Sequence, residues 1–165
     1  MKKLILVFSL FLSFLGFAQQ EIKLDIADAL VVRSLEFSYE TYISEVNSFG
    51  VSALVNLVKQ ETEFRYNENF MITPYFRHYF TKDAKWNFFG EAFVGINSGK
   101  KEIIESSNNF NLSYTDAALG IAAGIKHITK GGIVICAYAG FGRNMFGEDS
   151  PILVPRVGAN IGWRF

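Results

Sequence analysis

From Ile22 onward, apolar residues trade places with polar or small ones at every second position, in segments of about ten residues. No helical period of 3.6 persists over a comparable length. Eight segments carry the alternation: Ile22–Leu30, Arg33–Ile43, Phe49–Lys59, Glu68–Phe80, Trp86–Asn97, Tyr114–His127, Gly132–Asn144 and Val154–Phe165. A tilted strand crosses a bilayer in about nine to eleven residues. A strand with one greasy and one polar face is what the wall of a membrane barrel requires. The connections alternate too. Those at Ser44–Ser48, Thr81–Lys85 and Ile128–Gly131 are short. Those at Gln60–Asn67, Ser98–Ser113 and Met145–Leu153 are longer and polar, and a tight one sits at Val31–Val32. In a meander, alternate connections share one end of the barrel, and outer-membrane barrels have short periplasmic turns and longer extracellular loops. The expected fold is all-β: an eight-stranded antiparallel up-and-down transmembrane β-barrel, integral to the outer membrane, with both termini periplasmic.

The period assigns each residue a face. On the third segment Phe49, Val51, Ala53, Val55 and Leu57 point outward, and Gly50, Ser52, Leu54 and Asn56 inward. On the fourth, Phe70, Ile72, Pro74, Phe76 and Phe80 point outward, and Asn69, Thr73, Tyr75, Arg77 and Tyr79 inward. The seventh has Ile133, Ile135, Ala137, Ala139 and Phe141 outward, which leaves Arg143 on the lipid side unless it rises above the bilayer. Phe49, Phe80, Trp86, Trp163 and Phe165 fall at the periplasmic ends of their strands, a candidate aromatic girdle at the headgroup level.

The inward set contains the acids Asp25, Glu36, Glu40, Glu91 and Asp116 and the bases Lys23, Arg77, Lys126, Arg156 and Arg164. An eight-stranded barrel is just wide enough to be filled by side chains. An ion left unpaired there costs several kcal/mol. These residues are therefore expected to form a structural charge network that plugs the lumen. Turn positions set Lys23 opposite Glu40 and Arg77 opposite Glu91.

The N-terminus reads as a secretory signal. Lys2 and Lys3 precede an apolar run from Leu4 to Phe17, and Gly16-Phe17-Ala18 offers small residues for cleavage after Ala18. Residues 1–18 are taken as the signal peptide and 19–165 as the barrel domain. The run is shorter than the ~20 residues of a spanning helix. Its removal takes two lysines and no acid, leaving 14 basic and 16 acidic residues, a net charge of −2. That balance lacks the basic stripe of a nucleic-acid binder. Cys136 is the one cysteine, so no internal disulfide forms, and with two histidines the chain is poor in zinc ligands. No metal and no cofactor is expected. Aromatic residues make up 16% of the chain, more than a small soluble domain hides easily.

Some motifs suggest chemistry. Gly95-Ile96-Asn97-Ser98-Gly99-Lys100 resembles a phosphate-binding loop but is one residue short, with Lys101 where Ser or Thr should follow. His127-Ile128-Thr129 resembles the His-x-Ser pair of membrane lipid A deacylases, with Thr for the nucleophile and at the periplasmic end. Gly140-Phe141-Gly142 fits a spot where small residues relieve crowding, and Cys136 fits a small packed hydrophobe.

Longer stretches carry a family resemblance. Leu35-Glu36-Phe37-Ser38-Tyr39-Glu40 fits an early "SYE" strand, and Tyr75-Phe76-Arg77-His78-Tyr79-Phe80 a "YRYYF" strand. Glu91 to Gly99 fits "EGFxGxNSG" with Ala92 replacing Gly. Tyr114-Thr115-Asp116, Ala118-Leu119-Gly120, Gly142-Arg143-Asn144 and Gly162-Trp163-Arg164-Phe165 fit as well. Over nearly the whole mature chain the sequence resembles the small outer-membrane β-barrel proteins common in Bacteroidota, a conserved family of unknown function. In architecture it is similar to OmpX- and OmpA-type barrels. The resemblance brings no catalytic residues.

Together these features imply a non-enzymatic, monomeric barrel with a charge-filled lumen, acting as a structural or surface-interaction protein through its extracellular loops. Its expected partners are outer-membrane lipids, the barrel-assembly machinery and an extracellular ligand of unspecified identity. The alternatives are a lipid-modifying enzyme of the lipid A deacylase type, a small-solute or ion channel, and a soluble lipocalin-like carrier. The last needs apolar residues inside and polar ones outside, opposite to the assignment above. The ending on Phe165 resembles the C-terminal aromatic signal that the assembly machinery reads. Deleting Phe165 should lower the amount of folded barrel in the membrane fraction, scored by heat-modifiable migration; unchanged assembly of the shortened chain would refute that role.

Overall fold

A computed structural model describes residues 19–57, 68–81, 85–105, 108–147 and 150–165, the side chains of 31–32 and 101–111 excepted. The strands are β1 Gln20–Asp25, β2 Ser34–Tyr42, β3 Asn47–Asn56, β4 Glu68–Tyr79, β5 Asn87–Glu105, β6 Asn108–Ile128, β7 Ile133–Asn144 and β8 Leu153–Arg164. Each pairs antiparallel with its sequence neighbour, and β1 pairs with β8 to close the barrel. Gln20 N donates to Phe165 O at 3.1 Å and Phe165 N returns to Gln20 O at 2.9 Å, so the seam is hydrogen-bonded to its last residue. Closure pairs every strand with a neighbour on both sides. The all-β, eight-stranded up-and-down barrel read from the alternation is the observed fold.

Faces follow the period. Phe37, Phe49, Leu119, Ile121, Phe141 and Trp163 are exposed on the outer wall, while Glu40, Arg77, Glu91 and Lys126 are buried inside. An apolar exterior wrapping a polar interior is the reverse of a soluble fold, and the lipocalin alternative fails on it. Phe49, Phe80, Trp86, Trp163 and Phe165 are all exposed and lie at the end that carries Gln20 and Phe165. Inside, small residues make room for rings: a side chain at Gly50 would collide with the ring of Tyr75.

Four expectations are corrected. The first segment does not run to Leu30: β1 stops at Asp25, and a single π-helical turn, Asp28–Val32, makes the tight connection to β2. Arg33 ends that turn in the left-handed region (φ 56°), donating its N–H to Asp28 O, and Leu30 is left 82% exposed. The polar connection Ser98–Ser113 is largely strand: β5 and β6 pair residue by residue out to Glu105 and Asn108. Polar side chains read as loop, yet strands that leave the bilayer keep pairing in water. Asn69 is exposed and does not face inward, because a bulge between Glu68 and Phe70 shifts the register by one. Lys23 stands opposite Ser38, not Glu40, since the π-helical turn shifts the β1–β2 ladder. The signal segment 1–18, the loop 60–67 and the tip 106–107 lie outside the described residues.

The β6–β7 turn shows how a short connection is made. Thr129 Oγ1 accepts from Ile133 N at 3.0 Å, Gly132 N donates to Thr129 O at 3.0 Å, and Gly132 takes φ +87°. A Cβ there would be strained and would crowd Arg164 O across the seam. Gly132→Ala should therefore cost about 1–2 kcal/mol, read as a lower urea midpoint for the folded barrel in detergent.

Candidate functional site: the charged lumen

Because inward positions recur every second residue, each strand delivers a column of polar side chains to the lumen. Glu21, Lys23 and Asp25 come from β1, and Glu36 and Glu40 from β2. Arg77 comes from β4, Glu91 from β5, Lys126 from β6 and Arg156 from β8; all are buried. Five cations, Lys23, Arg77, Lys126, Arg156 and Arg164, are threaded through carboxylates.

Glu40 is the central node. Its Oε2 accepts from Lys23 Nζ at 2.5 Å and Arg77 Nη1 at 3.0 Å. Its Oε1 accepts from the Tyr79 hydroxyl at 2.5 Å, Ser48 Oγ at 2.6 Å and Lys126 Nζ at 2.9 Å. Glu21 is a second node: Lys126 Nζ at 2.8 Å and Lys23 Nζ at 3.1 Å share one oxygen, and Arg164 Nη2 holds the other at 2.5 Å. Glu91 is a third, taking Arg77 Nε on one oxygen and Arg156 Nε on the other, each at 2.6 Å. Arg156 Nη1 continues to Glu36 at 3.3 Å. The result is an unbroken alternation of sign: Arg164, Glu21, the pair Lys23 and Lys126, Glu40, Arg77, Glu91, Arg156, Glu36.

Rings insulate the column. The Arg77 guanidinium lies 4.3 Å from the Phe89 ring centre and 4.5 Å from that of Tyr75. Arg156 lies 4.9 Å from Tyr138, and Arg164 4.5 Å from Tyr42. A guanidinium over an aromatic face gains electrostatically where water is excluded. Cys136 packs among Tyr79, Phe89 and Tyr138, with Arg77 Nη1 3.8 Å from its sulfur. Toward the loop end, Leu54, Met71, Ala118 and Val154 form a buried apolar layer over the charges.

The sequence-derived set divides in three. Lys23, Glu36, Glu40, Arg77, Glu91, Lys126, Arg156 and Arg164 meet in the column. Arg77 and Glu91 are direct cross-strand partners. Lys23 reaches Glu40 diagonally despite the shifted register, because its stem is long. Asp116 stands apart: Ser150 Oγ, Phe146 N at 2.9 Å and Gly147 N at 2.8 Å donate to it, pinning the β7–β8 connection. Asp25 also stands apart, its Oδ1 accepting from Asp28 N at 3.0 Å and Ala159 N at 3.3 Å. The buried acids Glu21, Asp28 and Glu68 lie outside the expected set. Glu21 was legible in principle, since it shares a face with Lys23 two residues on.

The chemical-looking motifs resolve into structure. Gly95 to Lys100 is paired strand, not a loop. His127 Nδ1 donates to Lys85 O, its ring 4.8 Å from Trp86, while the Thr129 hydroxyl serves its turn. The outward Arg143 is exposed near the loop end of β7.

A closed antiparallel eight-stranded barrel with a polar filling is the architecture of small outer-membrane barrels. The chain is similar to the N-terminal β-barrel domain of Pseudomonas aeruginosa OprF, with 12% identity and a TM-score of 0.58 over 90% of this chain and 96% of that one. It is similar to Neisserial surface protein A, with 11% identity and a TM-score of 0.55 over 90% and 94% of the two chains. It is similar also to the Yersinia pestis outer membrane protein Ail in a phospholipid bilayer nanodisc, with 13% identity and a TM-score of 0.50 over 90% and 100%. At such identities the likeness is one of fold. No protein-family model and no curated protein matches this sequence.

Glu91→Ala would leave Arg77 and Arg156 sharing one fewer carboxylate and should cost about 3–5 kcal/mol. Glu40→Ala should cost at least as much, since three cations lose their common partner. The unfolding temperature on heat-modifiability gels checks both, and wild-type values would overturn the node assignment.

Proposed function

We propose that the protein is an integral outer-membrane barrel whose lumen is a structural plug and whose work is done by the outer end. The observation that carries this is the unbroken salt-bridged column: its carboxylates are 0–3% exposed, and its Lys and Arg side chains 0–5% apart from Arg164 at the rim. A conducting path needs mobile water and ions beside these charges, whereas every charge in the column is neutralised by protein. The apolar layer of Leu54, Met71, Ala118 and Val154 adds a second seal.

The outer wall supports the membrane reading. Its exposed large apolar side chains run around all strands, and soluble monomers rarely expose contiguous patches above a few hundred Å². The end carrying Gln20, Phe165 and the short turns is taken as periplasmic. The opposite end then faces outward with the β5–β6 hairpin. Beyond Gly99 and Tyr114, Lys100–Glu105 pairs with Asn108–Ser113 and, among the described residues, with no other strand. Six further residues at ~3.4 Å each make a projection of roughly 20 Å. A two-stranded arm standing beyond the barrel wall suits contact with other macromolecules at the cell surface. The printed name of one fold neighbour, a surface protein, is in keeping with that role.

The reading implies a monomeric, non-enzymatic protein. Among the described residues the best nucleophile and base pair, Thr129 and His127, sits at the opposite end, with both side chains committed to local contacts. Two measurements test the proposal. An epitope inserted after Glu105 should be labelled on intact cells. The purified barrel should give no stable conductance in a planar bilayer. Labelling only after permeabilisation would reverse the orientation; steady ion-selective channels would sink the plug.

A further inference from the structure

The outward column of β7 ends on a charge. From Ile133 the outward positions are Ile135, Ala137, Ala139 and Phe141, all exposed, and the next is Arg143. Ile133 stands beside Trp163 at the girdle. Ten residues at ~3.3 Å each, on a strand tilted by roughly 40°, lift Arg143 ~25 Å above that level. The outward apolar band of such barrels is about that tall. Arg143 therefore falls at the opposite interface, at the depth of lipid headgroups. Its cross-strand neighbours are Leu119 and Leu153, both exposed on the outer wall. Its guanidinium makes no ion pair among the described residues. A lipid-facing cation without a protein partner is uncommon and points to a ligand or to the interface itself.

Two hollows meet at this residue. One, of about 560 Å³, lies on the outer wall and is lined by Ala92, Leu119, Ile121, Phe141 and Leu153. That volume is in the range of small-molecule sites. The other, of about 250 Å³, lies beside the β7–β8 connection and is lined by Asn144, Gly147 and Ser150. Arg143 and Ile152 line both. Asp116, the buried acid next to the second hollow, is already held by Ser150 Oγ, Phe146 N and Gly147 N. An apolar groove that meets a polar hollow at a cation has the layout of an amphiphile with an anionic head.

We propose that this is a binding site for one anionic membrane lipid, with its phosphate on the Arg143 guanidinium and an acyl chain in the apolar groove. Every part of the wall meets lipid chains, and chains alone give little preference, because hydrocarbon is as apolar as the side chains it would leave. What sets this place apart is the fixed cation at the head of the groove. A guanidinium can hold two phosphate oxygens by parallel N–H bonds, and the groove fixes the chain by shape. The inference rests on the membrane placement proposed above. It does not depend on which end faces outward, since Arg143 reaches an interface in either orientation.

The test refolds the barrel into vesicles of equal parts phosphatidylglycerol and phosphatidylcholine with matched chains. The inserted protein is then extracted in mild detergent and weighed by native mass spectrometry. One phosphatidylglycerol should stay bound, about fivefold in excess over phosphatidylcholine. Arg143→Gln should bring the two lipids to parity without changing heat-modifiable migration. Ala92→Phe keeps the charge but fills the groove, and it should lower retention of both lipids severalfold. Soluble glycerol phosphate in the extraction buffer should not displace the lipid, since it brings no chain. Equal retention of the two lipids by the unaltered barrel overturns the inference. So does a preference that survives Arg143→Gln, or displacement by glycerol phosphate. A barrel that never enters the vesicles would sink the membrane reading and this site with it; one that enters and shows no preference sinks this site alone.

Discussion

A carboxylate with no water around it, Glu40, has to be solvated by protein, and the barrel is organised around that need. Its two oxygens draw on β1, β3, β4 and β6 through Lys23, Ser48, Arg77, Tyr79 and Lys126. No single neighbouring strand could supply these donors. The requirement reaches across the lumen, so it constrains closure as well as pairing. Each cation it recruits needs a further anion, and Glu21 and Glu91 meet that need. The alternating column is the consequence of one buried charge propagated until it reaches the rim at Arg164.

The column also explains why the strands keep their register. The hydrophobic effect does little to specify a barrel whose outer wall meets lipid, because sliding one apolar wall past another changes little. A slip by one residue does something different: it turns every inward side chain outward. For β4 and β5 that would place Arg77 and Glu91 against hydrocarbon. An Arg or Lys near the bilayer midplane costs roughly 2–4 kcal/mol, and its abandoned partner adds the penalty of a buried unpaired ion. The polar filling is therefore what makes one register far better than its neighbours, while the apolar wall makes the structure compatible with a membrane.

Much of this was legible in the chain, because period two is a purely local property. The strand count, the faces of β3, β5, β6 and β8, and the Arg77–Glu91 pair come from alternation and turn length alone. What escaped was set by features that break the period. The bulge at Glu68 and Phe70 reversed Asn69. The π-helical turn shifted β1 against β2 by an amount that no residue pattern around Val31–Val32 announces. Glu21 was lost by starting β1 two residues late, at a seam where its partner strand is β8. The extended arm was hidden because Ser98–Ser113 lacks the apolar alternation of the wall, and only pairing defines the strands there. The Asp25, Asp28 and Glu36 cluster spans two strands and a turn, so no spacing rule could find it.

The two halves of the lumen differ in what they ask of their surroundings. Around Glu40 each anion has cations at 3.0 Å or closer and rings against its bases, so its charges are solvated by protein. Toward the mouth the balance turns. Asp25, Asp28, Glu36, Glu68 and Asp116 are all buried there. Arg156, the base that comes nearest to them in the column, is already divided between Glu91 and Glu36. A buried acid there can anchor a connection, as Asp116 does for the β7–β8 segment. Dense ion pairing around Glu40 and a group of buried acids toward the rim thus set two kinds of polar packing side by side in one lumen.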